Sequence, residues 1–151
     1  MKFTVFNKMA EDYRLKKDAK ERAAELGCRI KAAIDEGKFN LGYGYLQFDG
    51  RVCHGCAVAA AAFSCGLRRG DQEDCQERAV NYGLMSPQEA AQLEMGYEAF
   101  SWCFTWGGSG GVEVDLKSPF FKLGKKMSLA SRHRSERSYR DLRQHLAAEG
   151  R

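Results

Sequence analysis

Residues 50–66, GRVCHGCAVAAAAFSCG, hold the densest set of side chains able to do chemistry: Cys53 and Cys56, with His54 and Gly55 between them, at the mouth of an alanine-rich run. A Cys-x-x-Cys pair between a strand and a helix can exchange thiol for disulfide, because the helix N-terminus stabilises the thiolate of the first cysteine. The local setting matches. The surrounding frame does not, since a long helical pattern precedes the motif and no parallel strand clearly follows it. A structural zinc needs four ligands. Among the remaining thiols, the candidates Cys65, Cys75 and Cys103 have no partner at knuckle spacing, so neither a metal nor any other cofactor is expected.

The third chemistry is nucleophilic. A cysteine opening a helix is the papain-like arrangement, but Ala57 stands where that pattern has tryptophan, and the later histidines, His133 and His145, fall in charged stretches. A thiol needs a base within hydrogen-bond reach, and His54 could act only through local geometry. The favoured reading is packing: Cys56 and Cys65 as small buried hydrophobes of the alanine helix, with Cys53 in the strand before it. A thiol-dependent enzyme centred on Cys53, His54 and Cys56 is the alternative.

The elements that must position these residues follow from periodicity and punctuation. From Lys8 to Glu36 apolar residues recur at three- and four-residue steps, which predicts a long amphipathic helix ended at Gly37. The alternation Leu41, Tyr43, Tyr45, followed by Asp49-Gly50, predicts strand, tight turn, strand. Residues 56–65 read as a small-residue helix stopped at Gly66. A short helix capped at Asp71 and stopped at Gly83 comes next. Ser86-Pro87-Gln88-Glu89 has serine at the cap, proline in the first turn and glutamate three residues on, a capping box that opens a helix to about Tyr97.

Phe100, Trp102, Phe104 and Trp106 then recur at two-residue spacing, and after the glycines of 107–111 the pattern resumes with Val112, Val114 and Leu116. This predicts a second hairpin with an aromatic inner face, the alternative being a helix that continues through Trp102 into a flexible linker. Such rings serve as core before they serve as a platform. The glycine loop lacks the Lys-Ser/Thr of a phosphate-binding loop. Ser118-Pro119 opens a helix to residue 134 with Phe120, Leu123, Met127 and Ala130 on one side, and a last helix carries Tyr139, Leu142 and Leu146.

Composition bounds the function class. The 151 residues are 44% hydrophobic and 29% charged, an ordinary balance for one globular domain. No apolar run approaches spanning length or signal-peptide form, so a soluble cytoplasmic protein with no membrane partner is expected. Six cysteines in such a chain are expected to be free thiols. Charge is uneven: residues 112–151 carry 10 Lys and Arg against 5 Asp and Glu, whereas residues 51–111 carry 4 against 7. Lys122, Lys125, Lys126 and Arg132, continued by Arg134, Arg137, Arg140 and Arg143, would form a basic surface opposite the apolar stripe, with Phe121 at its edge. Such a surface suits an acidic protein or a nucleic acid.

Taken together, GYLQFDGRVCHGCAVAAAAFSCG, YGLMSPQEAAQLEMGYEAF and SPFFKLGKKM resemble segments of short uncharacterised bacterial and phage-encoded proteins, in which an aromatic-glycine stretch leads into a Cys-Ala helix. The resemblance covers about half the chain. It implies a compact fold, and that family has no established activity from which catalytic residues could be transferred. The expectation is therefore a mainly helical α+β domain with one or two short antiparallel hairpins. Its expected role is a small, non-catalytic interaction or regulatory protein, phage-related in kind, whose basic C-terminal helices bind the partner. Its oligomeric state is open.

Overall fold

The computed structural model describes residues 18–42, 46–98, 113–131 and 136–148. Helix α1, Ala19–Asp35, starts where Asp18 turns extended and its carboxylate accepts the Glu21 N–H at 2.8 Å. The extended Asp18 rules out one continuous helix from Lys8; Met9 and Tyr13 lie outside the described residues. Leu26, Ile30 and Ala33 face inward at helical spacing, and the helix stops at Gly37, whose φ of 72° suits a residue without a Cβ.

Three short strands follow: β1 (Phe39–Leu41), β2 (Gln47–Asp49) and β3 (Val52–Gly55). A tight hairpin forms beside Asp49-Gly50, but Asp49 lies opposite Val52 and Phe48 opposite Cys53, so Gly50, at φ 63°, and Arg51 take the central positions; Leu41 belongs to β1, and Tyr43 and Tyr45 lie outside the described residues. The sheet is not purely antiparallel. Its order is β1-β3-β2, and β1 pairs with β3 in parallel, Phe39 opposite Cys53. Phe39, Cys53 and Phe48 therefore share one sheet face, and the Phe39 ring meets Phe63 of the next helix at 5.5 Å between centroids.

Helix α2, Ala57–Ser64, is the expected alanine helix, with Cys56 at its cap and Gly66 past its end. Helix α3, Cys75–Asn81, is capped by Asp74 and not by Asp71. The Asp74 carboxylate takes the Glu77 N–H at 2.7 Å, while Asp71 caps the preceding turn by accepting from Arg68 N–H. Helix α4, Pro87–Glu98, opens with the predicted reciprocal box: Glu89 N–H donates to Ser86 Oγ at 3.1 Å and Ser86 N–H to Glu89 Oε1 at 2.9 Å. The same Glu89 carboxylate receives both terminal nitrogens of buried Arg22, at 2.6 and 3.1 Å, and so ties α1 to the start of α4.

The second hairpin is not seen where it can be checked. Phe100 to Trp106 and the glycine loop lie outside the described residues, and residues 113–117 form a loop and a turn, with Leu116 exposed. Among the described residues no strand pairs with it. The buried Gln92 amide takes that role, donating to Glu113 O at 2.6 Å and accepting from Asp115 N–H at 2.9 Å.

Helix α5, Pro119–Ala130, and helix α6, Glu136–Ala148, complete the described residues. Ser131 is extended, so α5 ends four residues before the predicted boundary at 134. Phe120 enters the large core shared by α1, α2, β1 and α4. Phe121 enters a second core with Met95, Tyr139, Leu142 and Leu146, and is 3% exposed; it is not at the edge of a basic surface. Ala130, expected on the apolar side, is exposed. Helices α4 and α5 cross at contact distance. A Cβ on Gly96 would lie 2.1 Å from the Phe121 carbonyl oxygen, and one on Gly124 would lie 2.1 Å from that of Leu93. Tyr139 of α6 donates its hydroxyl to the Gly96 carbonyl beside this crossing. The result is a mainly helical α+β fold with one small mixed sheet.

Candidate functional site

The junction of β3 and α2 holds Cys53, His54 and Cys56, and strand geometry separates them. Successive side chains of a strand point to opposite faces. Cys53 therefore faces the core with Phe39 and Phe48 and is 6% exposed, while His54 lies on the other face with Asn40 and Gln47, its Nε2 3.9 Å from Asp49 Oδ2. His54 does not stand as a base beside Cys53.

Cys56 faces different surroundings again. Burial pushes its thiol pKa up, the charge of Glu94 pushes it further, and the backbone N–H groups of Ala59 and Val58 offset only part. The Glu94 carboxyl, reaching over from α4, is itself raised to about 7, first by burial and then by the charge of Glu98; hydrogen bonds with the Cys56 thiol and Val58 oppose this. Its Oε2 is buried with no hydrogen-bond partner among the described residues. Cys53 is also raised, by burial, with Arg68 and Arg69 pulling the other way. A nucleophile or redox thiol works as the thiolate. At neutral pH both thiols of the motif are protonated, and burial likewise lifts Cys65 to about 11 and Cys75 upward. The five described cysteines are free, and among the described residues no three His, Cys, Asp or Glu side chains gather as a metal site.

The predicted basic surface is placed in part. Lys122 and Lys126 are exposed on α5, and Arg140 and Arg143 on α6. Lys125 is half-buried with its Nζ 5.1 Å from the centre of the Tyr139 ring, a cation–π contact that makes it a helix-packing residue. Arg132 and Arg134 lie outside the described residues, as does the side chain of Arg137.

Two features escaped the sequence reading. Glu94 is one of many polar residues in α4, and only the fold aims it at Cys56. The other is a cleft of about 480 Å³ on the Cys53 face of β3, lined by Phe48, Cys53 and Phe63, whose charged lining comes from Lys38, Arg51, Arg68 and Arg69. The pair Arg68-Arg69 was a visible signal; its convergence with Lys38 and Arg51 needs the mixed sheet.

Among the described residues no helix is long and apolar enough to cross a membrane. In comparison with known proteins, the chain matches no family model, no curated protein and no solved structure.

Proposed function

We propose that this protein is a small non-catalytic interaction module, phage-related in kind, that recognises an acidic protein surface or a nucleic acid through helices α5 and α6. One observation carries the reading: Lys122, Lys126, Arg140 and Arg143 are exposed on helices whose other faces are buried through Phe120 and Met127, or through Tyr139, Leu142 and Leu146. Helices docked by an apolar stripe project their cations into solvent, where they attract and neutralise phosphates or carboxylates. Against a thiol-dependent enzyme stand the raised pKa values of Cys53 and Cys56 and the placement of His54 on the opposite sheet face.

The test is duplex DNA binding as a function of salt. If these four side chains contact phosphates, log affinity falls with log salt with a slope of about −3.6. The combined variant Lys122→Gln, Lys126→Gln, Arg140→Gln and Arg143→Gln should flatten that slope without loss of fold. No binding at low salt rejects the nucleic-acid form of the reading. Retention by the variant of every partner captured by the wild type rejects the surface.

A further inference from the structure

The cleft beside β3 draws its walls from four separate places in the chain. Lys38 follows α1, Phe48 and Arg51 belong to the β2–β3 hairpin, Phe63 is on α2, and Arg68 and Arg69 follow α2. Four of these residues are cations, and none of the described residues lining the cleft is a carboxylate. Of the nearby acids, Glu36 pairs with one of these cations, Lys38, at 2.9 Å in the open, which leaves the two arginines and Arg51 as the main charge of the cleft, and Asp71 accepts from the Arg68 backbone N–H and pairs with Arg78 at 3.5 Å. Gathering like charges costs free energy at every pair.

The two guanidiniums are also held in place. Arg68 lies 4.0 Å over the Phe63 ring, and its Nη1 donates to Phe63 O at 2.8 Å and Leu67 O at 2.7 Å. Arg69 lies 5.5 Å over the Phe48 ring and its Nη2 donates to Phe48 O at 3.1 Å. Ring and carbonyl together fix each planar fork while leaving its other N–H groups to a ligand, which lowers the ordering cost of binding. A guanidinium matches the oxygens of a phosphate in bidentate fashion. Two forks and two further cations match a ligand with several negative charges better than a single phosphate. The cleft volume lies within the range of roughly 300–1,000 Å³ usual for small-molecule sites, and the cleft is shallow, with its cations exposed to solvent.

We propose that this cleft binds a pyrophosphate-type polyanion, free or as the diphosphate of a nucleotide, with Arg68 and Arg69 as the bidentate forks and Lys38 and Arg51 as flanking cations. The site is independent of the α5–α6 surface. It involves no bond making or breaking.

Calorimetric titration of the full chain at low salt with inorganic pyrophosphate, orthophosphate and ADP tests it. Pyrophosphate is expected to bind at least about tenfold more tightly than orthophosphate, the equivalent of one added charge-assisted hydrogen bond. ADP separates the two sources: tighter binding than pyrophosphate identifies a nucleotide, equal or weaker binding a free polyphosphate. Arg51→Gln, at the exposed hairpin turn, should weaken pyrophosphate about tenfold, and Arg51→Gln with Arg69→Gln about a hundredfold or more. Lys122→Gln with Lys126→Gln should leave it unchanged. The proposal is overturned if pyrophosphate does not bind at low salt, if it binds no better than orthophosphate, if a folded Arg51→Gln variant binds it as the wild type does, or if the Lys122/Lys126 variant loses it equally.

Discussion

Helix α4 meets the rest of the molecule in two unlike ways. Toward α5 it presents Leu93 and Gly96, and the two backbones approach so closely that neither Gly96 nor Gly124 has room for a methyl group. Toward the head of α2 it presents Glu94, whose carboxyl is set by burial, by Glu98 and by the Cys56 thiol. The first contact is steric and has one solution. The second is electrostatic and changes with pH. The frame therefore resides in the crossing, whereas the adjustable chemistry sits at the β3–α2 junction.

Gly96→Ala and Gly124→Ala should break the first region and produce the largest effects. Alanine gains up to about 1 kcal/mol in helix propensity, but a Cβ 2.1 Å from a backbone oxygen cannot be relieved by turning a side chain. The helices must separate and loosen Phe120 and Phe121 in both cores, at a net cost of about 3 kcal/mol or more. Urea unfolding measures it. A stability within about 0.5 kcal/mol of wild type for either variant would show that the crossing yields easily and that the contrast with the junction is false.

The next effect belongs to Glu94 and depends on pH. Its folded pKa, about 7, lies above the ordinary value of 4.5. Below pH 4.5 both the folded and unfolded chains carry the proton and the group costs nothing. As pH rises toward 7 the unfolded chain releases a proton that the fold retains, so stability falls, and above 7 the cost is complete at up to about 3 kcal/mol. Glu94→Gln imitates the protonated carboxyl. It should match wild type near pH 4.5 and exceed it at pH 8, as read from unfolding midpoints. The same difference at both pH values would mean that the charge of Glu94 is already well solvated.

The frame was more legible in the sequence than the junction, for a physical reason. Caps and stops act over three or four residues, so the Ser86–Glu89 box, Gly37, Gly66 and the Tyr139-Leu142-Leu146 stripe could be read locally. Parallel pairing of β1 with β3 leaves no such local mark, because its partner arrives from a distant segment. Without that pairing neither the place of Phe39 beside Cys53 nor the arrival of Lys38 at the cleft on that face could be anticipated. Asp71 and Asp74 are the same residue type three positions apart, and only the structure shows that Asp74 takes the Glu77 N–H while Asp71 accepts from Arg68 N–H. The alternation at 112–116 misled because Gln92, a side chain from another helix, satisfies the backbone that a strand would have paired.

The smallest effect sharpens the contrast within the junction itself, where two cysteines three residues apart sense charges of opposite sign. Cys56 is raised in part by Glu94, and Cys53 is held down in part by Arg68 and Arg69. A charge contributing about 0.6 kcal/mol in a water-like dielectric changes the thiolate population about threefold. At pH 8, where Glu94 is mostly ionised, Glu94→Gln should speed alkylation of Cys56 by about that factor, while Arg69→Gln should slow that of Cys53 similarly. Exposed Cys28 provides an internal reference in the same digest. Site-resolved mass spectrometry after brief iodoacetamide treatment reads all of these rates at once. A loosened fold would accelerate both buried thiols together, so opposite shifts identify charge as the cause. If the two variants move their cysteines in the same direction, burial alone controls both thiols and the charges on either side of β3 have no hold on them.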